Sequence, residues 1–311
     1  MKIIVACGGV SNERNISLDS GNCVFNALVE MNKNVEYLDV RHKNITQELE
    51  RINADVCFNV LHGNYGEDGI FQSICESIEL PYTGSDFNAS AIAMNKVQSK
   101  RIFAADGLPT LPFVEWIIGH NDPQPSFDFP WCIKPSSEGS SIGIIMVMNN
   151  HQWSKVRNEL LNKKGEVYLI EPLANGQELT VGIINDRAMA PIWVKPQQGF
   201  YDFQAKYQRN DTEYLFDTGL SDADLDNIKK IALQSFRVIG CHGWGRVDLI
   251  YHDDMPYILE INTVPGMTSH SLVPKAYEYE GGSFNNLVLD ILKSAKLHLS
   301  LGSDLVHSLD S

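Results

Sequence analysis

The chain has 311 residues, 43% apolar and 21% charged, with a formal net charge of −14. That is a globular composition, too acidic overall to hold a nucleic-acid backbone, which needs a basic face. No run nears the roughly 18 consecutive apolar residues that span a bilayer, and Lys2 to Cys7 is too short for a signal-peptide core, so a cytoplasmic protein without nucleic-acid or membrane partners is expected.

The length favours two or three packed units over one core. In the first, apolar runs alternate with helical patterns, which predicts a parallel sheet with covering helices. Strands are expected at Ile3 to Cys7, Val35 to Val40 and Val56 to Leu61, with a helix from about Ser17 on the spacing of Val24, Leu28 and Met31. Two polar loops, Gly8 to Glu13 and His62 to Gly69, follow strands, where ligands bind in open parallel sheets. The first misses the GxGxxG spacing because Glu13 stands where the last glycine belongs, which sets a dehydrogenase aside. A lone histidine such as His62 is more often structural.

A second unit begins near a helix predicted from Asn88 to Ala105 and closed by Gly107 and Pro109. Trp131 to Lys134 and Ile144 to Met148 read as strands around a Ser/Gly-rich turn, and Val167 to Ile170 as another. Strands follow at Leu179 to Ile184 and Pro191 to Lys195. The stretch from Pro196 to Gly219 has no periodicity, and so long a segment is uncommon unless functional. A helix capped by Ser221 and ended by Gly240 places Leu225, Ile228, Ala232, Phe236 and Ile239 on one face. Residues after about Lys296 carry no motif and are expected to fray. The six scattered cysteines form no CxxC pair and read as buried free thiols.

The strongest constellation runs from Gly245 to Tyr251, through His252 to Met255, to Pro256 through Asn262, two apolar runs around a polar turn that predict a hairpin. With the loop centred on Asp254, position 248 faces 260 and 246 faces 262. Alternation puts Val247, Leu249, Tyr251, Tyr257, Leu259 and Ile261 on one face. Arg246, Asp248, Glu260 and Asn262 share the other. Opposed carboxylates need a cation or a shared proton, and a hard oxygen-binding ion such as magnesium, bridging to ligand phosphates, meets that need. The competing reading is a solvated face on which Arg246 neutralises both acids.

Pro265 and Gly266 then mark a tight turn whose N–H groups, with Arg246, suit a developing oxyanion. Ser271 is either part of that site or a plain helix N-cap. Between two strands, Lys134 to Gly143 offers N–H and hydroxyl donors to phosphate oxygens, with Lys134 supplying charge at its root. It lacks the P-loop order, in which the lysine follows the last glycine. Alone, a hairpin turn without a ligand explains it equally well.

The Lys134 loop, the Arg246 to Asn262 hairpin and the run to Ser271 together resemble the ATP-grasp superfamily. Gly8-Gly9 through Glu13-Arg14 with Ser17-Leu18, the His62 loop and Ala205-Lys206-Tyr207 narrow the resemblance to the D-alanine:D-alanine ligase family. It runs in order over the chain, apart from its last residues. The resemblance implies an α/β (α+β) fold, an N-terminal parallel-sheet domain (1–88) followed by an ATP-grasp pair of domains (89–178 and 179–311), in a homodimer with ATP between the pair.

By the same resemblance, Lys96, Lys134 and Lys206 contact phosphates, and the loop carrying Glu138, Ser140 and Ser141 folds over them. Glu171, Leu173, Ala174 and Glu178 meet the adenine and ribose, Leu173 standing where some relatives carry an aromatic. Asp248, Glu260 and Asn262 match the ligands of two magnesium ions, with manganese as a substitute, and Asn262 also meets ATP. Glu13 and His62 hold the first D-alanine, Arg246 and the Gly266 amide its reacting oxygen, and Ser271, Leu272 and Tyr207 the second substrate. Glu13, Ser140, Tyr207, Arg246 and Gly266 form the implied catalytic set.

The implied reaction makes D-alanyl-D-alanine, a peptidoglycan precursor, through an acyl phosphate, with Pro196 to Gly219 as a lid that excludes water. The alternative is a sister ligase with another second substrate such as D-lactate. Tyr207 favours the dipeptide, because depsipeptide-forming relatives tend to carry His there. A nucleotide-binding regulator without turnover would not need the full set of Arg246, Asp248, Glu260 and Asn262.

Overall fold

The computed structural model describes residues 1–41, 44–139, 142–196 and 212–299. Strand β1 (Lys2–Gly8) lies between β2 (Asn34–Val40) and β3 (Val56–Asn59), and all three run parallel. Ile3, Val5 and Cys7 pack with Val24 and Leu28 of helix α1 (Arg14–Glu30), while Ile4 and Ala6 face Leu49 of α2 (Ile45–Ile52) and Phe71 of α3 (Ile70–Ser77). Cover on both faces is why β1 reads as one continuous apolar run. At its carboxyl end Gly8 takes φ +87, and a Cβ there would come within 2.3 Å of Asp39 Oδ1. Its N–H donates to Ser17 Oγ (2.8 Å), so the turn is tied to α1, which starts earlier than its periodicity shows because Glu13 already occupies the N-cap position.

The single helix predicted from Asn88 to Ala105 is two, α4 (Phe87–Met94) and α5 (Lys96–Ala105), separated by extended Asn95. Asn95 Oδ1 accepts from Gln98 N–H (3.1 Å) and from the Ser136 hydroxyl (2.8 Å). These side-chain bonds compete with continued helix and break it there. Strands β4 (Val114–Ile117), β5 (Trp131–Pro135), β6 (Ile145–Val147) and β7 (Val167–Pro172) form an antiparallel sheet in the order β4-β7-β5-β6. Helix α6 (Asn150–Leu160) covers it, with Trp153 against Trp116 and Trp131.

The third sheet contains β8 (Gln177–Ile184), β9 (Arg187–Ala188), β10 (Ile192–Pro196), β11 (Thr212–Leu215), β12 (Trp244–His252) and β13 (Met255–Asn262). Its order is β11-β10-β8-β12-β13, with β9 paired to β8. Strand β11 falls inside the segment expected to lack structure, and its few residues are too short a run to show alternation. Helix α7 (Asp222–Val238) starts where Ser221 Oγ accepts from Asp224 N–H (3.2 Å) and leads into Gly240 at φ +87. It lays Ile228, Ala232 and Phe236 on Val247, Leu249 and Ile258. Helices α8 (Leu272–Tyr279) and α9 (Phe284–Lys293) return to the first sheet, where Leu287, Val288 and Ile291 share a core with Val24 and Leu28.

The β12–β13 hairpin pairs Asp248 with Glu260 and Arg246 with Asn262 as expected, but its turn is tighter. His252 faces Met255 across Asp253 and Asp254, both left-handed at φ 47 and 58. The register shifts after Asp248, so that Leu249 faces Ile258 and Leu259 is the extra residue of a bulge. One extra residue reverses the alternation. Ile258 is therefore the fully buried side chain, whereas Tyr257 and Leu259, expected on the apolar face, are only half-buried.

Lys296 bridges to Tyr82 beside β3, and the rest of the tail expected to fray, 300–311, lies outside the described residues. All six cysteines are free thiols, with Cys23 and Cys241 less buried than the rest. Ser140, Ser141, Lys206, Tyr207 and most of the expected lid lie outside the described residues.

Candidate active site

Strands β12 and β13 turn Arg246, Asp248, Glu260 and Asn262 away from α7. Asp248 accepts four bonds, from Arg246 Nε (2.8 Å), Arg246 Nη2 (2.8 Å), Thr180 Oγ1 (2.6 Å) and Asn262 Nδ2 (3.1 Å). Arg246 thus neutralises Asp248. Glu260 is paired instead with Lys96 Nζ at 3.0 Å. Lys96 starts α5 directly after the break at Asn95, and its Nζ also donates to the Glu138 carbonyl (2.7 Å). One lysine therefore joins the Ser/Gly-rich loop to the hairpin.

The donors Asp248, Glu260 and Asn262 are hard oxygen ligands of the kind magnesium takes. Among the described residues no three or more His, Cys, Asp or Glu side chains converge on one point. An ion here would have two carboxylates and an amide, and would complete its shell with water or phosphate oxygens.

Lys134 and Glu171 come together on the paired strands β5 and β7. Lys134 Nζ lies 2.5 Å from Glu171 Oε1, and Lys100 Nζ lies 2.8 Å from Glu171 Oε2, though misaligned for a hydrogen bond. All three side chains are buried. Burial opposes charge on Glu171, but the two lysines outweigh it and hold its carboxyl down at about 2. Burial alone would lower Lys134 too, and the Glu171 charge reverses that and raises it. Lys100 receives less compensation and is lowered, chiefly by burial. Leu173 and Ala174 form the half-buried connection from β7 to β8, and Glu178 sits on β8 opposite Ile250.

The first sheet supplies the other wall. A cleft is lined by Glu13, Glu67, Lys96, Gly139, Glu260 and Asn262, among others. Glu13 reaches it from the start of α1. Glu67 bridges two loops, accepting from Gly63 N–H (2.7 Å) and Val264 N–H (3.3 Å). Burial first, and the neighbouring Glu13 charge second, push its carboxyl up to about 8. His62 is 4% exposed, with Nδ1 2.8 Å from the Val264 carbonyl and Nε2 3.1 Å from Ser20 Oγ. Burial lowers its pKa, so the ring is neutral with both nitrogens engaged by protein groups.

Ser271 occupies the N-cap position of α8, yet its hydroxyl makes no cap bond. It accepts from Thr268 N–H (2.9 Å), and a side chain at Gly266 would meet it at 2.7 Å. Leu272 is buried in the core shared with α1. The structure thus gathers Glu13, Lys96, Glu260 and Asn262 around one cleft, with Arg246 and Asp248 on the same hairpin, and buries Lys134 with Glu171 within electrostatic reach of Glu260. Glu67 and Ser20 were not singled out from sequence. Their only signal was position, in a Gly-rich loop after a strand and on the buried stripe of α1.

Residues 39–85 match the family model described as D-ala D-ala ligase N-terminus, and residues 102–293 match D-ala D-ala ligase C-terminus. The chain is 41% identical over 295 residues to the D-alanine–D-alanine ligase of Alcanivorax borkumensis, covering 94% of each. The chain belongs to the D-alanine–D-alanine ligase family. The enzyme of that name from Acinetobacter baylyi is 40% identical over 296 residues, again at 94% of each chain. A crystal structure of D-alanine–D-alanine ligase from Bacillus anthracis aligns with TM-score 0.83 at 30% identity, covering 94% of this chain and 97% of that one. The same enzyme complexed with ATP gives 0.80 at 27% identity, covering 94% and 96%. The three sheets are therefore the N-terminal parallel sheet and the ATP-grasp pair of D-alanine–D-alanine ligases.

Proposed function

We propose that this chain joins two D-alanines to D-alanyl-D-alanine at the expense of ATP, supplying a peptidoglycan precursor in the cytoplasm. The observation that carries it is the cleft itself. Glu260, which holds Lys96 as an internal cation, and Asn262 line a space with Glu13 and the Gly139 end of the Ser/Gly-rich loop, and the same hairpin carries the Asp248–Arg246 pair. No helix among the described residues is long and apolar enough to cross a membrane.

Attack of one D-alanine carboxylate on the γ-phosphate of ATP gives an acyl phosphate and ADP. The amine of the second D-alanine then adds to that carbonyl, and the tetrahedral intermediate expels phosphate. Glu13 holds the first ammonium group. Lys96, with Lys134 and Lys206, answers phosphate charge beneath the Glu138, Ser140 and Ser141 loop, while Glu171, Leu173, Ala174 and Glu178 receive the nucleoside. Asp248, Glu260 and Asn262 would hold two magnesium ions, or manganese in their place, which supply charge neutralisation to the phosphates. With cations held there to take over the charge of Asp248 and Glu260, Arg246 and Lys96 would be left to serve substrate oxygens. Arg246 and the Gly266 N–H then meet the oxyanion, with His62 behind the first substrate and Ser271, Leu272 and Tyr207 beside the second. The same reading divides the chain at 88 and 178 and makes it a homodimer.

Incubation with ATP, magnesium and D-alanine should release phosphate and yield the dipeptide, while L-alanine and D-lactate should not substitute. No product with all three at saturation would overturn the assignment.

A further inference from the structure

We propose that Ser20 is a positioning residue for the Gly266 turn, taking the Met267 N–H on its hydroxyl oxygen and giving its own proton to His62 Nε2. The inference rests on the ligase reading of that turn. Its geometry rests on three contacts. Met267 N–H donates to Ser20 Oγ at 3.0 Å, and Ser20 Oγ stands 3.1 Å from His62 Nε2. His62 Nδ1 stands 2.8 Å from the Val264 carbonyl. A carbonyl only accepts, so Nδ1 carries the imidazole proton and Nε2 is bare. The serine must then be the donor to Nε2.

Val264 and Met267 flank Pro265-Gly266. One chain of bonds therefore holds the turn at both ends, by the carbonyl before it and the N–H after it. Both anchors belong to the first unit, Ser20 on α1 and His62 after β3, far away in sequence. Ser20 is fully buried and His62 nearly so, so no water replaces a lost partner. An oxyanion donor acts only at hydrogen-bond distance from where charge develops, and small displacements are costly to rate. The position of α1 thereby sets the placement of the Gly266 N–H.

Ser17 provides an internal comparison. It is equally buried, one turn earlier on α1, and accepts from Gly8 N–H while donating to the Val60 carbonyl (2.6 Å). Its bonds close within the first sheet and do not reach the turn.

The test compares Ser20→Ala and Ser17→Ala in the full chain, with 15N-labelled histidine for imidazole spectra. Both variants should lose similar thermal stability. Ser20→Ala should lower kcat about tenfold with KM for ATP nearly unchanged, and should move the His62 Nε2 resonance toward that of an unbonded imine nitrogen. Ser17→Ala should change kcat less than about twofold and leave that resonance in place. Wild-type kcat in Ser20→Ala, or an equal loss in Ser17→Ala, would overturn the proposal. Should Ser20→Ala not fold, Ser20→Thr, which keeps the hydroxyl, must retain both kcat and the resonance. A proton found on Nε2 in the wild-type chain would refute the relay directly. Failure of the ligase reading is seen separately, as absence of D-alanine-dependent turnover in the unmutated chain, and the imidazole spectra still decide the bonds.

Discussion

Arg246 donates twice to Asp248 at 2.8 Å, so in the proposed ligase it has two tasks, counter-ion before substrate binds and oxyanion donor afterwards. Replacing it with alanine removes a charge that is needed most in the transition state, and should cost about 3 kcal/mol in kcat/KM. The magnesium concentration for half-maximal rate should not rise, because Asp248 loses a competitor for the metal. Unchanged kcat/KM would remove Arg246 from the reaction. Glu67 carries a different signature. Its carboxyl is raised from 4.5 to about 8, by burial first and the Glu13 charge second, against the Gly63 and Val264 N–H bonds and the Arg246 charge. The folded state keeps a proton that the unfolded chain gives up above its own lower value. The stabilisation is therefore complete below that value and is lost as pH rises through about 8. Glu67→Gln cannot titrate, so between about pH 5 and pH 8.5 its stability should fall less than that of the parent chain. Parallel urea-unfolding profiles for the two would contradict this.

At the level of elements, what could be read from sequence was whatever depended on near neighbours. The opposition of Asp248 to Glu260 was legible because alternation on two strands fixes it. The bulge at Leu259 was not, since Tyr257, Ile258 and Leu259 are all apolar enough to face a core. The break between α4 and α5 was hidden for a similar reason. Met94, Asn95 and Lys96 continue a helical pattern, and the bond that stops it comes from Ser136, 41 residues away. Lys134 was legible as the charge at the root of its loop and Glu171 only through the family resemblance, while their meeting depends on β5 lying beside β7 and that with Lys100 on the placement of α5. Asn95 also positions chemistry, because it holds Ser136 and starts α5 at Lys96. Asn95→Ala should remove the cap of α5 at a cost of about 1 kcal/mol. It should also raise KM for ATP, since Lys96 and the Ser/Gly-rich loop lose their common anchor. Denaturant unfolding and ATP titration measure the two effects, and an unchanged KM would confine Asn95 to a structural role.

Across the whole molecule, the cleft takes Glu13 and Glu67 from the first sheet, Gly139 from the loop beyond β5, and Glu260 and Asn262 from the third. Its geometry depends on how those sheets are tied. Helix α9 provides one tie through the core it shares with α1, and the segment following it provides another. Lys296 pairs with Tyr82, and the next residues close over Glu76, a side chain 4% exposed. Glu76 Oε1 accepts from His298 N–H (2.9 Å) and the Tyr82 hydroxyl (2.9 Å), and Oε2 accepts from Leu299 N–H (3.2 Å). Sequence offered no sign of this strap because its bonds are mostly backbone N–H groups, which any residue supplies. Ending the chain after Ala295 removes two of the three donors and leaves a buried carboxylate under-satisfied, at about 1–3 kcal/mol for each lost partner. A chain ending after Leu299 keeps all three. The shorter form should therefore unfold at lower urea than the longer by about 2 kcal/mol or more, and its loss should shrink in a Glu76→Gln background, where no charge is left uncompensated. Equal midpoints for the two truncations would show that the strap over Glu76 adds nothing to the ties made by α9 and by the Val264 and Met267 contacts.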